Sequence, residues 1–338
     1  QEAGVNGARL LESVVAGYEV AIRVGLATRG SLYGSGFHPT AVLGVFGAAA
    51  AAGRAMGLQP SHISQALGLA GTRGAGLLAY KVKGDWSKRL QVGTAASLGV
   101  GAARLAAAGF RGPTEVVEGQ YGLLGAYARG AQCPRDALLG LRERYHVGEV
   151  SFKPYASCRF THAPVDALLA AMRRGQVRPE EVLRIEVAVH SQAMASVMVP
   201  ADRKYRPETP VDAQFSLPYC LAVAARLGHV PPDAFTVEAI SDPVTLGVAS
   251  RVVAAEDPAY TALFPGRNAA RVTVHTNRGV FESEVMDARG DPERPLSDAD
   301  LETKFVVLAR GAMGGEIAAR GFARAIWQLD EAATLQSV

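Results

Sequence analysis

LRIEVAVH, residues 183–190, is the stretch on which the architecture turns. Leu183, Ile185, Val187 and Val189 fall on one side of a period-two pattern. Arg184, Glu186 and His190 fall on the other. That alternation predicts a half-buried strand. Ala249–Ala254, Ala270–Thr276 and Val280–Met286 read the same way, and Asn277-Arg278-Gly279 between the last two is a hairpin signal. Helical patterns lie between them, at Ala163–Arg173 and Val211–Leu227. Before residue 147 the pattern is different. Leu10, Leu11, Val14, Val15, Tyr18 and Ile22 recur at three- and four-residue steps, which predicts a helix over 6–29. Pro39 suits a first helical turn, and Ala41–Met56 is nearly all apolar, as in a helix buried on most sides. Ser61–Ala70 reads as a shorter helix capped by Ser61, and Ser87–Ala108 as a long Ala/Gly helix whose small residues allow close approach. Helical periodicity returns over 297–328. The expected fold class is therefore α+β: a large all-helical domain (1–147), a smaller α+β lid domain (148–292) after which Gly290–Pro295 acts as a linker, and a return of the helical domain (293–338).

Bulk properties narrow the function classes. A chain of 338 residues exceeds one simple core. The net charge of +3 is small and evenly spread, with no basic run interleaved with aromatics, which argues against nucleic acid. Cys133, Cys158 and Cys220 are far apart and form no CxxC pair, so neither a disulfide framework nor a structural zinc site is expected, and a reducing, cytoplasmic setting fits. No apolar run approaches the roughly 18–20 residues of a membrane span. There is no P-loop, HExxH or GxSxG motif, and no metal-ligand spacing. The chain starts at Gln1 and is in helical pattern by Leu10, as a piece of a longer protein would be.

Titratable residues gather at three element junctions. His38, in GSGFHPT (34–40), stands where helix N–H groups favour an anion. Lys88 and Arg89, in GDWSKRLQVG (84–93), occupy a first helical turn, where the macrodipole disfavours cations unless something negative binds. SFKPYASCRFTHAPVDAL (151–168) holds Lys153, Cys158, Arg159, His162 and Asp166. His162 and Asp166 are four apart, so on a helix they share a face and the Asp can fix the His tautomer. Cys158 reads as a small packing residue rather than a nucleophile. His190 reads as structural.

GYEVAIRVG (17–25), GFHPT (36–40), SKRLQVGTAA (87–96), EGQYGLL (118–124), KPYASCRFTHAPVDA (153–167) and AQFSLPY (213–219) occur in the order found in the MmgE/PrpD family, which the whole chain resembles. That family includes 2-methylcitrate dehydratases, cis-aconitate decarboxylases and iminodisuccinate epimerases. The resemblance implies a helical domain with an α+β lid, a homodimer, a small carboxylate substrate, and no metal or organic cofactor. It implies that His38, Lys88, Lys153, His162 and Tyr219 line the site. His38, His162 and Tyr219 are then the acid/base candidates, and Lys88, Arg89, Lys153 and Arg159 the carboxylate ligands. The expected activity is that of a hydro-lyase, a dehydratase working by proton abstraction beside a carboxylate. An epimerase or isomerase of an aspartate-derived dicarboxylate is the alternative, and a non-catalytic carboxylate-binding or dimerisation protein the third. Two departures bear on specificity: Cys158 stands where the decarboxylases carry His, and Gln91 stands where many members carry His. The family's further N-terminal helical stretch is absent from this sequence.

Overall fold

The computed structural model describes residues 3–83, 85–128 and 132–335; Gly84, the end of the glycine-rich 71–84 stretch, lies outside them. The backbone divides into two compact units, residues 1–149 with 302–338, and residues 150–301.

The first unit is helical. Its core comes from α1 (Gly7–Ala27), α2 (Pro39–Ala55), α3 (Pro60–Gly71) and α4 (Ser87–Ala107). The Asn6 side chain accepts from Arg9 N–H and starts α1. Pro39 and Pro60 sit in the first turns of α2 and α3. Ser61 lies inside α3 and does not cap it; Gln59 holds the cap position without a side-chain bond, because Pro60 already presets the turn. The apolar α2 is the centre of the unit, with Ala41, Val42, Val45, Phe46 and Ala49 almost fully buried. Its neighbours come unusually near. A Cβ added to Gly47 would lie 2.8 Å from the Gly17 carbonyl oxygen of α1, and one on Gly99 of α4 would lie 2.4 Å from the Ala48 Cβ.

The second unit carries one sheet in the order β2-β1-β3-β4, from β1 (Arg184–Val189), β2 (Val252–Glu256), β3 (Ala270–Thr276) and β4 (Gly279–Val285). β1 runs parallel to β2 and antiparallel to β3, so Val187 sits beside both Ala254 and Val272. β3 and β4 form the hairpin expected at Asn277-Arg278. Helix α5 (His162–Gly175) packs on β3 and β4, and α6 (Leu217–Leu227) packs on α5. The core unites the apolar faces of these elements, with Ile185, Val187, Val272, Val274, Leu168 and Leu221 buried.

Three expected elements are shorter than their periodicity. The 211–227 pattern breaks after Gln214, because the Ser216 side chain accepts from Tyr219 N–H and caps a new helix with Pro218 in its first turn. The strand expected from Ala249 starts at Val252, since Ala249 closes a preceding helix. The 297–328 pattern splits into α7 (Asp298–Ala309) and α8 (Glu316–Trp327) around Gly314-Gly315. Gly290–Pro295 is tied down as well. Phe152 N–H donates to the Gly290 carbonyl at 2.8 Å, and Asp291 is buried and accepts from Ala288 N–H at 3.1 Å.

Gly47→Val drives a branched side chain into the α1 backbone. Destabilisation of about 3 kcal/mol is expected from overpacking of this kind, read as a lower urea midpoint at unchanged m-value; a midpoint equal to wild type contradicts the close-packing account.

Candidate active site

In the first unit the starts of α2 and α4 converge. His38 is the residue before α2, in extended backbone, and 5% exposed. Its N–H donates to the Gly76 carbonyl at 3.0 Å, and an isolated bridge pairs Phe37 with Leu77. Its Nδ1 lies 2.8 Å from Gln91 Oε1 in the first turns of α4, and Gln91 Nε2 donates to the Leu77 carbonyl at 3.0 Å. The buried Tyr80 ring meets His38 edge-on at 5.4 Å between centroids, and Lys88 Nζ stands 5.8 Å from that same ring. Burial holds the His38 pKa below its ordinary 6.5; the Gln91 bond opposes this and the Lys88 charge adds to it. The negative group at this helix start is Asp85, whose Oδ1 accepts from Ser87 N–H. Arg89 points elsewhere, exposed over the Trp86 ring at 5.5 Å.

The second unit's polar residues surround the start of α5. His162 is buried as the first residue of that helix, edge-on to Tyr155 at 5.2 Å. Asp166 does not serve it in the way the helical spacing predicts. Its carboxylate accepts from Tyr155 Oη at 2.5 Å, Arg289 N–H at 2.7 Å and Arg294 Nη1 at 3.1 Å. Arg159 pairs with buried Asp291 at 2.5 Å through Nη2. Its Nη1 is buried with no hydrogen-bond partner among the described residues. A buried donor left so costs about 1–3 kcal/mol, and a carboxylate oxygen would satisfy it. Lys153, exposed before Pro154, donates to the Ser157 carbonyl at 3.2 Å. A cavity of about 300 Å³ opens beside Asp166, ringed by Tyr155, Arg173, His229, Arg289 and Arg294; Lys153, Arg159 and His162 do not line it.

Tyr219 is set apart from these groups. It is 1% exposed in the second core, gives its hydroxyl proton to the Ala234 carbonyl at 2.6 Å, and burial pushes its pKa up to about 12. Tyr219 thus ties the core of the second unit, its hydroxyl turned to a backbone carbonyl. Cys158 packs against the same core. Tyr80, Tyr155 and Asp291 hold these polar groups in place, and no local sequence signal marks them. Gln91 was legible only as a departure, although its spacing of three from Lys88 puts both on one helix face. Among the described residues no group of three or more His, Cys, Asp or Glu is placed to hold a metal ion, and no helix is long and apolar enough to cross a membrane.

Residues 1–136 match the MmgE/PrpD N-terminal domain and residues 155–330 the MmgE/PrpD C-terminal domain. The chain belongs to the MmgE/PrpD family. It is 26% identical over 320 residues to a cis-aconitate decarboxylase of Aspergillus terreus, covering 90% of this chain and 64% of that protein. It is 26% identical to a cis-aconitate decarboxylase-like protein of Aspergillus oryzae over 92% of this chain and 66% of the relative, and 25% identical to the Mus musculus cis-aconitate decarboxylase over 80% and 54%. The chain thus spans somewhat under two thirds of the length of the Aspergillus terreus protein.

His190 links the second unit's stability to pH. It is fully buried, stacked on Phe264 with centroids 4.3 Å apart. Nδ1 accepts from Ala193 N–H, so Nε2 carries the proton and donates to Asn268 Oδ1 at 2.7 Å. Asn268 Nδ2 in turn holds the Arg159 carbonyl at 3.2 Å. Burial lowers the His190 pKa from 6.5. The unfolded chain therefore takes up a proton first, so this contribution is complete above pH 6.5 and is lost as pH falls through the folded value. Urea midpoints measured downward from neutral pH should fall below 6.5, and His190→Asn should remove part of that slope; an unchanged slope in the variant contradicts the assignment.

Proposed function

We propose that the protein is a lyase of the dehydratase type, acting on a small di- or tricarboxylate without a cofactor. The observation that carries this reading is the His38–Gln91–Tyr80–Lys88 cluster: an imidazole whose pKa burial lowers and an ammonium, both set against one buried ring. His38 Nε2 takes the proton from the carbon next to a carboxylate. The C–H electron pair moves through the enolate-like carboxylate into a new C=C bond as hydroxide leaves from the neighbouring carbon and is protonated to water. Negative charge builds on the carboxylate during this step, and a cation fixed in advance stabilises it most. Lys88 is the cation for that oxygen pair. Lys153 and Arg159 are of the type further carboxylates need, and the orphan Nη1 of Arg159 supports its assignment. His162 is the second acid/base candidate that the family resemblance implies. Cys158 stands where the resemblance implies a His in the decarboxylases, and this difference favours water loss over the relatives' named decarboxylation.

The test is turnover of citrate-like, aconitate-like and aspartate-derived acids in deuterated water, with products read by NMR. Water elimination or addition is expected, and Lys88→Ala should lower kcat/KM by about a hundredfold or more. Solvent deuterium at the α-carbon with every heavy atom retained would replace the lyase reading by an epimerase. Binding without any exchange or turnover would leave only a carboxylate-binding protein.

A further inference from the structure

We infer that Gln91 is a positioning residue that selects which nitrogen of His38 acts and does so without charging the ring; this rests on the reading of His38 as the base. The Gln91 amide can satisfy its neighbours in one way. The Leu77 carbonyl only accepts, so it takes the amide N–H, at 3.0 Å. The amide oxygen is thereby turned to His38 Nδ1, 2.8 Å away. That oxygen also only accepts, so Nδ1 carries the ring proton and Nε2 keeps its lone pair. No described residue donates a hydrogen bond to Nε2.

The backbone that presents Leu77 is shaped for this relay. His38 N–H and Leu78 N–H bond across to the Gly76 and Gly36 carbonyls, which fixes the Leu77 carbonyl relative to the start of α2. Gly76 has a φ of 145°, and a Cβ there would lie 2.7 Å from the Ala41 Cβ and 3.2 Å from Gln91 Oε1. Only glycine lets the 76–77 backbone pass between α2 and the amide. Gly76 is a second positioning residue on this argument, acting through Gln91.

The choice of an amide has a chemical consequence. A carboxylate at position 91 would hold the same proton on Nδ1, but its charge would also stabilise the imidazolium and raise the pKa. An amide fixes the tautomer with a weaker upward pull on the pKa, which the burial of His38, together with the Lys88 charge, outweighs. His38 is then an unprotonated base at neutral pH, and stays one to lower pH than a carboxylate-backed histidine would. The amide therefore sets the acid limb of the pH–rate profile.

The experiment is ring-nitrogen NMR of histidine-labelled full-length protein, together with pH profiles of kcat and KM, on wild type, Gln91→Glu, Gln91→Ala and Gly76→Ala. In wild type the His38 proton should sit on Nδ1, with titration below 6.5. Gln91→Glu should keep that tautomer, shift the acid limb to higher pH, and lose about tenfold in kcat at about pH 6 while recovering near pH 8. Gln91→Ala should mix the tautomers and lower kcat by about tenfold with KM little changed. Gly76→Ala should behave as Gln91→Ala does. A wild-type proton on Nε2, or an acid limb unmoved in Gln91→Glu, overturns the inference. The NMR readout needs no substrate, so correct tautomers with no turnover of any carboxylate would uphold the positioning of His38 and count against the proposed function alone.

Discussion

Two helix backbones approach as α1 and α2 do only if neither has a side chain where they cross. Gly17 and Gly47 meet this condition reciprocally: a Cβ on either would reach the other's carbonyl oxygen, at 2.9 and 2.8 Å. On its opposite flank α2 meets Gly99 of α4 through Ala48 and Ala49. The helix is therefore held from both sides by backbone rather than by adjustable side chains. At a rise of about 1.5 Å per residue, its first residue is carried rigidly from that crossing. His38 owes its fixed position to this, and Gln91 and Lys88 owe theirs to α4, packed on the same helix. A looser α2 would let the His38–Gln91 distance drift.

The second unit is organised by a different force. Its sheet and helices make an ordinary apolar core, but the start of α5 is fixed by charge. Asp166 gathers three donors, and two of them come from Arg289 and Arg294. Asp291, from the same loop, reaches Arg159. Buried carboxylates are stable only when their partners are all present. The loop over residues 288–294 thus holds the polar end of the helix in place, although its composition is that of a solvent-exposed connector.

The fold class was readable because period two and period three-to-four are local signals. β1, β3, β4, α1, α2 and α4 were all visible in windows of their own length. The errors fall where one side chain competes with the run around it. Ser216 caps a new helix inside an apolar helical pattern, and periodicity counts cannot register a hydroxyl that turns to a backbone N–H. The candidate site was legible in part for a related reason. His38 and Lys88 stood out because a Gly-rich histidine junction and cations at a helix start break local expectations. Gln91 breaks none, and its meaning depends on α4 lying against α2, many residues away in sequence. Asp291 was hidden the same way. Tyr219 shows the opposite limit: a residue in a recognisable segment can have its hydroxyl turned to a core carbonyl, and neither spacing nor resemblance reports the direction of a hydroxyl.

The first unit is also discontinuous. Gly7 N–H at the start of α1 bonds to the Ala332 carbonyl at 2.8 Å, with all of residues 150–301 lying between them along the chain. On the ribosome, α1 emerges long before its partner exists. The second unit, being continuous, can close while the first waits with the Gly7 N–H still lacking its Ala332 partner. Synthesis order and assembly order therefore differ, and in the interval between them the first unit is without its C-terminal helices.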